Sequence, residues 1–131
     1  MLTPDQLALF ADDVQAFSHV ATTGPDGEPQ SSPVWVSTDG EHVLFSLTTG
    51  RQKYRNLVAD PRVALSVLKP DDAYSYLEVR GTVTIEPDPD NAFIDAMARK
   101  YTEHDSYPWH QPGDERVVVH VTPEHTTGRI R

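Results

Sequence analysis

The sequence predicts a mainly β protein with helices on its outside: a six- to seven-stranded antiparallel barrel forming one domain over residues 1–131. Three observations lead there. Short β-rich segments recur at close, even intervals, separated by turns rich in Gly, Pro and Asp. Helical apolar spacing is confined to a few short stretches. No strand–helix alternation and no Gly-x-Gly-x-x-Gly support a parallel nucleotide-binding sheet, and the length suits one domain with a core of its own.

The elements follow in order. Thr3-Pro4-Asp5-Gln6 reads as a capping box with proline at the first helical position, and Leu7, Phe10, Val14 and Phe17 continue at helical spacing, so a helix is expected to run to about Phe17. His19–Thr23 is β-rich and is closed by the turn Gly24-Pro25-Asp26-Gly27. Gln30–Ser37 is the next strand, and Pro33 within it points to a sheet edge or a bulge. Thr38-Asp39-Gly40 is a hairpin turn into a third strand, His42–Leu47. Arg51–Ala59 are helix formers halted by Asp60-Pro61. Arg62–Lys69 alternates as a fourth strand, a loop follows at residues 70–73, and Tyr76–Glu86 is a long fifth strand with a bend or bulge at Gly81. A helix over Asn91–Tyr101 presents Phe93, Met97 and Tyr101 on one side. After the loop 102–114, Arg116–Thr122 is the sixth strand, and Thr126–Arg131 is suited to a short seventh.

Composition removes several classes of function. With no cysteine there is no disulfide, thiolate metal site, iron–sulfur cluster or cysteine nucleophile. The start lacks a basic, apolar leader pattern and no segment is long and apolar enough to span a bilayer, so the expectation is a cytoplasmic protein without a membrane partner. A net charge of −9 argues against a nucleic-acid partner. The six histidines show no metal-ligand spacing, and no Gly-x-Ser-x-Gly elbow is present.

Charge distribution says more than the total. Residues 1–50 contain no Lys or Arg, and the first four then arrive together as Arg51, Lys53, Arg55 and Arg62. They fall on a strand, Gly-containing turn and helix: Ser46-Leu47-Thr48-Thr49-Gly50-Arg51-Gln52-Lys53-Tyr54-Arg55-Asn56. A phosphate at that helix start would meet unpaired N–H groups and the positive end of the helix dipole. Arg51 offers a planar fork, Lys53 a point charge, and Thr48 and Thr49 hydroxyl donors. A solvated helix with threonine caps fits the same spacing. The strand Gln30-Ser31-Ser32-Pro33-Val34-Trp35 is a second candidate, offering hydroxyls and bulged backbone to a planar heterocycle; an ordinary strand with Trp35 in the core is the plainer reading. The loop Tyr101–Trp109 is suited to a lid, a substrate wall or packing on a partner subunit.

Three stretches together resemble a known superfamily. Ala21–Trp35 resembles the opening of the pyridoxamine-phosphate-oxidase-like proteins, Gly50–Leu57 with Asp60–Leu65 resembles their phosphate-binding helix and next strand, and Glu78–Val83 resembles the long strand that follows. The similarity covers nearly the whole chain and is strongest to the short flavin/deazaflavin oxidoreductase B group, which uses coenzyme F420. The resemblance implies a dimeric split β-barrel of the FMN-binding-protein kind, with two cofactor sites at the homodimer interface. It implies phosphate binding by Arg51 and Lys53 with Gln52 and Asn56 nearby and Arg55 farther out. It places Ser32, Pro33, Val34 and Trp35 along the cofactor ring, and Ser46, Thr48 and Thr49 along the ribityl chain and phosphate. It implies hydride transfer between F420 and a small organic substrate, with no catalytic side chain of the protein. FMN on the same scaffold, or a non-catalytic flavin-, deazaflavin- or haem-binding protein, are the alternatives. The sequence runs to Arg131 without the Arg- and Pro-containing C-terminal segment of pyridoxamine phosphate oxidases, so that particular activity is not expected.

Overall fold

A computed structural model describes residues 1–131. A short helix α1 (Pro4–Leu7) leads through a 3-10 turn (Ala8–Phe10) into β1 (Phe17–Thr23) and β2 (Pro29–Trp35). A two-residue β3 (Ser37–Thr38) and β4 (Val43–Thr48) precede helix α2 (Gln52–Ala59). Strands β5 (Arg62–Lys69) and β6 (Asp72–Pro87), helix α3 (Ala92–Tyr101) and β7 (Arg116–Arg129) complete the chain. No helix is long and apolar enough to cross a membrane.

All seven strands join one antiparallel sheet in the order β2-β1-β5-β6-β7-β4-β3. The two ends of that sheet, β2 and β3, are separated in the chain by Val36 alone. One residue cannot span a flat seven-stranded sheet, whose strands lie about 4.8 Å apart. The sheet therefore curls until its ends meet, giving a barrel split beside Val36. Period-two alternation then sends one face of each strand inward. Val20, Phe45, Leu65, Val79, Val119 and Val121 are all at most 1% exposed and form the core with Phe10 from the N-terminal segment.

The edge position inferred from Pro33 holds, since β2 ends the sheet. The bulge at Gly81 holds as well: pairing slips between Arg80 and Gly81, and a Cβ on Gly81 would lie 1.9 Å from the Thr122 carbonyl oxygen. That slip overturns the division of the last strand. Arg80 pairs with His125 and Gly81 with Pro123, so Glu124 is the extra residue that lets one strand continue through Pro123 to Arg129. The seventh strand is β3 instead.

The first helix is shorter than its apolar spacing suggests. Its capping box forms, with the Gln6 N–H donating to Thr3 Oγ1 at 3.2 Å and the Thr3 N–H to Gln6 Oε1 at 2.9 Å. The carbonyl of Phe10, which a continuing helix would bond to residue 14, instead accepts from Lys100 Nζ at 3.1 Å. Phe17 opens β1 and is exposed. In α3 the fully buried face is Ile94, Met97 and Ala98, joined by Lys100, while Phe93 and Tyr101 are half-buried. The helix start is capped by the Asp88 carboxylate, which accepts the Phe93 and Ile94 N–H groups.

Residues of α3 secure the split. Lys100 Nζ donates to the Val36 carbonyl at 2.7 Å, and Tyr101 Oη accepts the Val36 N–H at 3.1 Å and donates to the Ala16 carbonyl at 2.6 Å. Both backbone groups at the seam are thereby satisfied. Gly81→Ala is expected to lower stability by about 1–3 kcal/mol through overpacking against Thr122; urea unfolding of the variant measures the loss, and unchanged stability would show that β7 yields freely.

Candidate functional site

The seam opens on a cavity of about 560 Å3. Its walls are β2 through Ser32, Pro33, Val34 and Trp35, β4 through Ser46 and Thr48, and the start of α2 through Arg51, Gln52 and Lys53. Ile94 and Met97 of α3, Tyr107 of the following loop and Arg116 at the head of β7 close it. Nine of the eleven candidate residues from the sequence therefore surround one space, with Thr49 and Asn56 outside it. The Thr49 backbone N–H donates to the Glu115 carbonyl at 3.0 Å. Asn56 is buried, and its Nδ2 donates to Thr22 Oγ1 and Gln30 Oε1, both at 3.0 Å. Its Oδ1 accepts from Gln52 Nε2 at 2.8 Å. Asn56 thus ties α2 to β1 and β2 and holds Gln30 and Gln52 at the rim.

Of the four clustered cations, only part faces the cavity as free charge. Arg62 is spent on Asp60 at 2.7 Å. Arg55 donates to the Gly50 carbonyl at 3.1 Å and to Gln52 Oε1 at 2.8 Å, bracing the helix start. Arg51 and Lys53 make no ion pair with any carboxylate. The first turn of α2 has no acidic residue and no side-chain cap, so its N–H groups and dipole add to their field. Desolvation, reinforced by the like charge of Arg51, pulls the half-buried Lys53 down to a pKa of about 8.

A third cation was not legible in the sequence. Arg116 enters at the head of the apolar run Val117-Val118-Val119, where it reads as an ordinary strand start. Pairing of β7 with β4 sets it against Thr48 and brings its Nη1 to 3.4 Å from Ser46 Oγ. Its guanidinium lies 4.7 Å from the Tyr107 ring centroid, and its Nε is buried with no hydrogen-bond partner. A buried orphan donor on a cation is costly unless a ligand meets it. A larger cavity, about 700 Å3, lies between the N-terminal segment and the chain end, but Asp5, Asp12 and Asp13 line it beside Lys69 and Arg131. Its cations face acids; those of the first cavity do not. The first is therefore the cavity with unpaired positive charge.

Trp35 is half-buried at the wall of this cavity and not in the core. It stacks on Tyr101 with ring centroids 5.4 Å apart and planes 5° from parallel, and meets Tyr107 edge-on at 6.2 Å. Tyr107 is fixed by its backbone N–H on Asp95 Oδ1 at 2.8 Å. The loop 102–114 therefore supplies an aromatic wall.

A family description, pyridoxamine 5'-phosphate oxidase, matches residues 5–129. The chain belongs to the pyridoxamine 5'-phosphate oxidase family. Membership in this oxidase family agrees with the split barrel seen here. An F420 reductase is similar at TM-score 0.79 and 42% identity, over 92% of this chain and 94% of that one. A conserved hypothetical protein from Mycobacterium tuberculosis gives TM-score 0.72 at 23% identity, over 96% and 83% of the two chains. A pyridoxamine 5'-phosphate oxidase-related, FMN binding protein from Nostoc punctiforme gives 0.64 at 13%, over 95% and 83%. These last two likenesses speak for the fold alone. No curated protein matches the sequence.

Asn56→Ala is expected to cost about 1–3 kcal/mol of stability, because it strands the buried Thr22 hydroxyl and cuts the tie to Gln30. Denaturant unfolding reads this; a variant as stable as the parent would show that Asn56 is not a strut.

Proposed function

We propose that this protein is an oxidoreductase that binds coenzyme F420 and transfers hydride between it and a small conjugated organic substrate. One observation carries the reading: three cations, Arg51, Lys53 and Arg116, face a single cavity without a carboxylate partner in a chain of net charge −9. Such an arrangement fits a phosphate-bearing ligand, and the orphan Nε of Arg116 marks a polar contact still to be made. The 42% identity to an F420 reductase favours the deazaflavin over FMN.

In this reading Arg51, Lys53 and the N–H groups of the α2 start bind the cofactor phosphate. Thr48 and Ser46 orient the linking chain from the floor. The Ser32–Trp35 edge strand receives the ring, since an edge strand has backbone donors and acceptors not used in the sheet. Arg116 is a third positive group toward the polar edge of the bound molecule. Reduced F420 supplies the hydride, and the protein supplies position and an apolar wall through the aromatic Trp35 and Tyr107 and the thioether Met97. None of these side chains needs to be a nucleophile. The acceptor is a C=C or C=N bond conjugated in a small molecule, which stacks against such a wall.

The cavity is open on the side of Phe17, which is 54% exposed. We assign that side to a second copy, making the working unit a homodimer in the cytoplasm. Light scattering on the purified protein is expected to give twice the chain mass; a monomer at micromolar concentration would contradict the assignment.

Titration with F420 and, separately, FMN tests the cofactor. F420 is expected to bind more tightly, and the Arg51→Ala/Lys53→Ala double variant to lose at least about 100-fold in affinity at unchanged fold, from two charge-assisted contacts of about 1.5–3 kcal/mol each. Lys53 adds a pH signature. Its charge is lost as pH rises through about 8, whereas a bound anion raises its pKa, so binding weakens from pH 7 to pH 9 and takes up protons. Calorimetry in buffers of different ionisation heat reads that uptake. Tighter binding of FMN would move the assignment to a flavin enzyme, and equal affinity in the double variant would remove the phosphate site.

A further inference from the structure

A second polar cluster lies on the same outer sheet face as Arg116 and takes no part in the cofactor cavity. In β7 the residues Arg116, Val118 and His120 alternate onto one face, and His120 stands opposite Leu44 of β4. His120 lies four positions along the strand from Arg116, roughly 13 Å at the usual rise. His42, just ahead of β4, brings its ring edge-on to His120, with centroids 5.9 Å apart and planes at 86°. Asp39 Oδ2 lies 2.9 Å from His42 Nδ1. The other oxygen of Asp39 accepts the backbone N–H groups of Glu41 at 2.9 Å and His42 at 2.6 Å. These bonds anchor the Asp39 carboxylate beside His42.

His120 supplies the observation that hydrogen bonding within the chain leaves unexplained. Its Nε2 is buried and has no hydrogen-bond partner. The Glu86 carboxylate is 3.6 Å away, within ion-pair range and beyond a good hydrogen bond. One donor atom from each of Asp39, His42 and His120 lies within 4.8 Å of the other two. Two imidazoles and a carboxylate, with a second carboxylate in reach, are the donor set of borderline divalent transition metals; calcium and magnesium take oxygen ligands. We propose that Asp39, His42 and His120, with Glu86 alongside, bind one divalent transition-metal cation of the zinc class.

Zinc–ligand lengths of about 2.0–2.2 Å put tetrahedral donors roughly 3.4 Å apart. Donor atoms within 4.8 Å of one another, with Asp39 and His42 already at 2.9 Å, reach that spacing by shifts of about an ångström. Asp39 is exposed and His42 is half-buried, so small rotations of both suffice. The bound cation links the turn before β4 to the middle of β7, across the strand pair whose other end carries Ser46 and Arg116. Its role is to stiffen that wall. The sequence hides this site because His42 and His120 are far apart in the chain and only the β4–β7 register brings them together.

Calorimetric titration of zinc chloride into the full-length, cofactor-free protein tests the site. Binding of one zinc per chain is expected, together with a rise in the thermal midpoint, and magnesium chloride is expected to give neither. His42→Ala and His120→Ala are expected to weaken zinc binding at least about tenfold. A His104→Ala/His110→Ala variant, altered only in the loop, retains the parent affinity. His120→Asn replaces the alanine variant if circular dichroism shows that the latter has lost its fold. Absence of zinc binding by the parent, parent-like affinity in the folded His120 variant, or loss of binding in the loop variant would overturn the proposal.

Discussion

Lys53 sits half-buried beside Arg51 with no carboxylate to meet it, and burial pulls its pKa to about 8. A chain that carries 20 Asp and Glu against 11 Lys and Arg does not lack acids to pair with these cations. It pairs Arg62 with Asp60 and Arg131 with Asp72, and leaves Arg51, Lys53 and Arg116 free around one cavity. Keeping a lysine partly desolvated next to like charge lowers the stability of the empty protein. An anion that enters the cavity relieves that cost, and the proposed function follows from this imbalance.

The barrel provides the means. Val36 alone joins the two ends of the sheet, so the seam must close, and Lys100 and Tyr101 of α3 close it by taking both backbone groups of Val36. Closure sets the edge strand β2 across from β4 and directs Thr48-Thr49-Gly50 into α2. The helix start then borders the same gap as the edge strand, through Arg51, Gln52 and Lys53. Asn56 locks α2 in that attitude through Thr22 and Gln30. The cation-lined cavity and its aromatic wall are consequences of one seam.

Parts of this were legible in the residues and parts were not, for identifiable reasons. Arg51 and Lys53 stood out because fifty residues without a cation precede them and Gly50 opens a helix there. Pro33 and Gly81 marked an edge and a bulge because each has a backbone property that few strand positions tolerate. Leu7, Phe10, Val14 and Phe17 keep helical spacing past the true end of the first helix, because the competitor for the Phe10 carbonyl is Lys100, distant in sequence. Pro123 reads as a break between two strands because the slack that accommodates it belongs to Gly81 on another strand. Arg116 was invisible for the same reason: its meaning depends on pairing with β4. Local chemistry was readable, and whatever required knowing which strands are neighbours was not.

The most direct test is a crystal structure of the protein soaked with F420. Density for the cofactor phosphate is expected against Arg51, Lys53 and the first turn of α2, with the ring beside Ser32–Trp35. Phosphate found elsewhere, for example beside Lys69 and Arg131 in the larger cavity, with the α2 start empty, would contradict it.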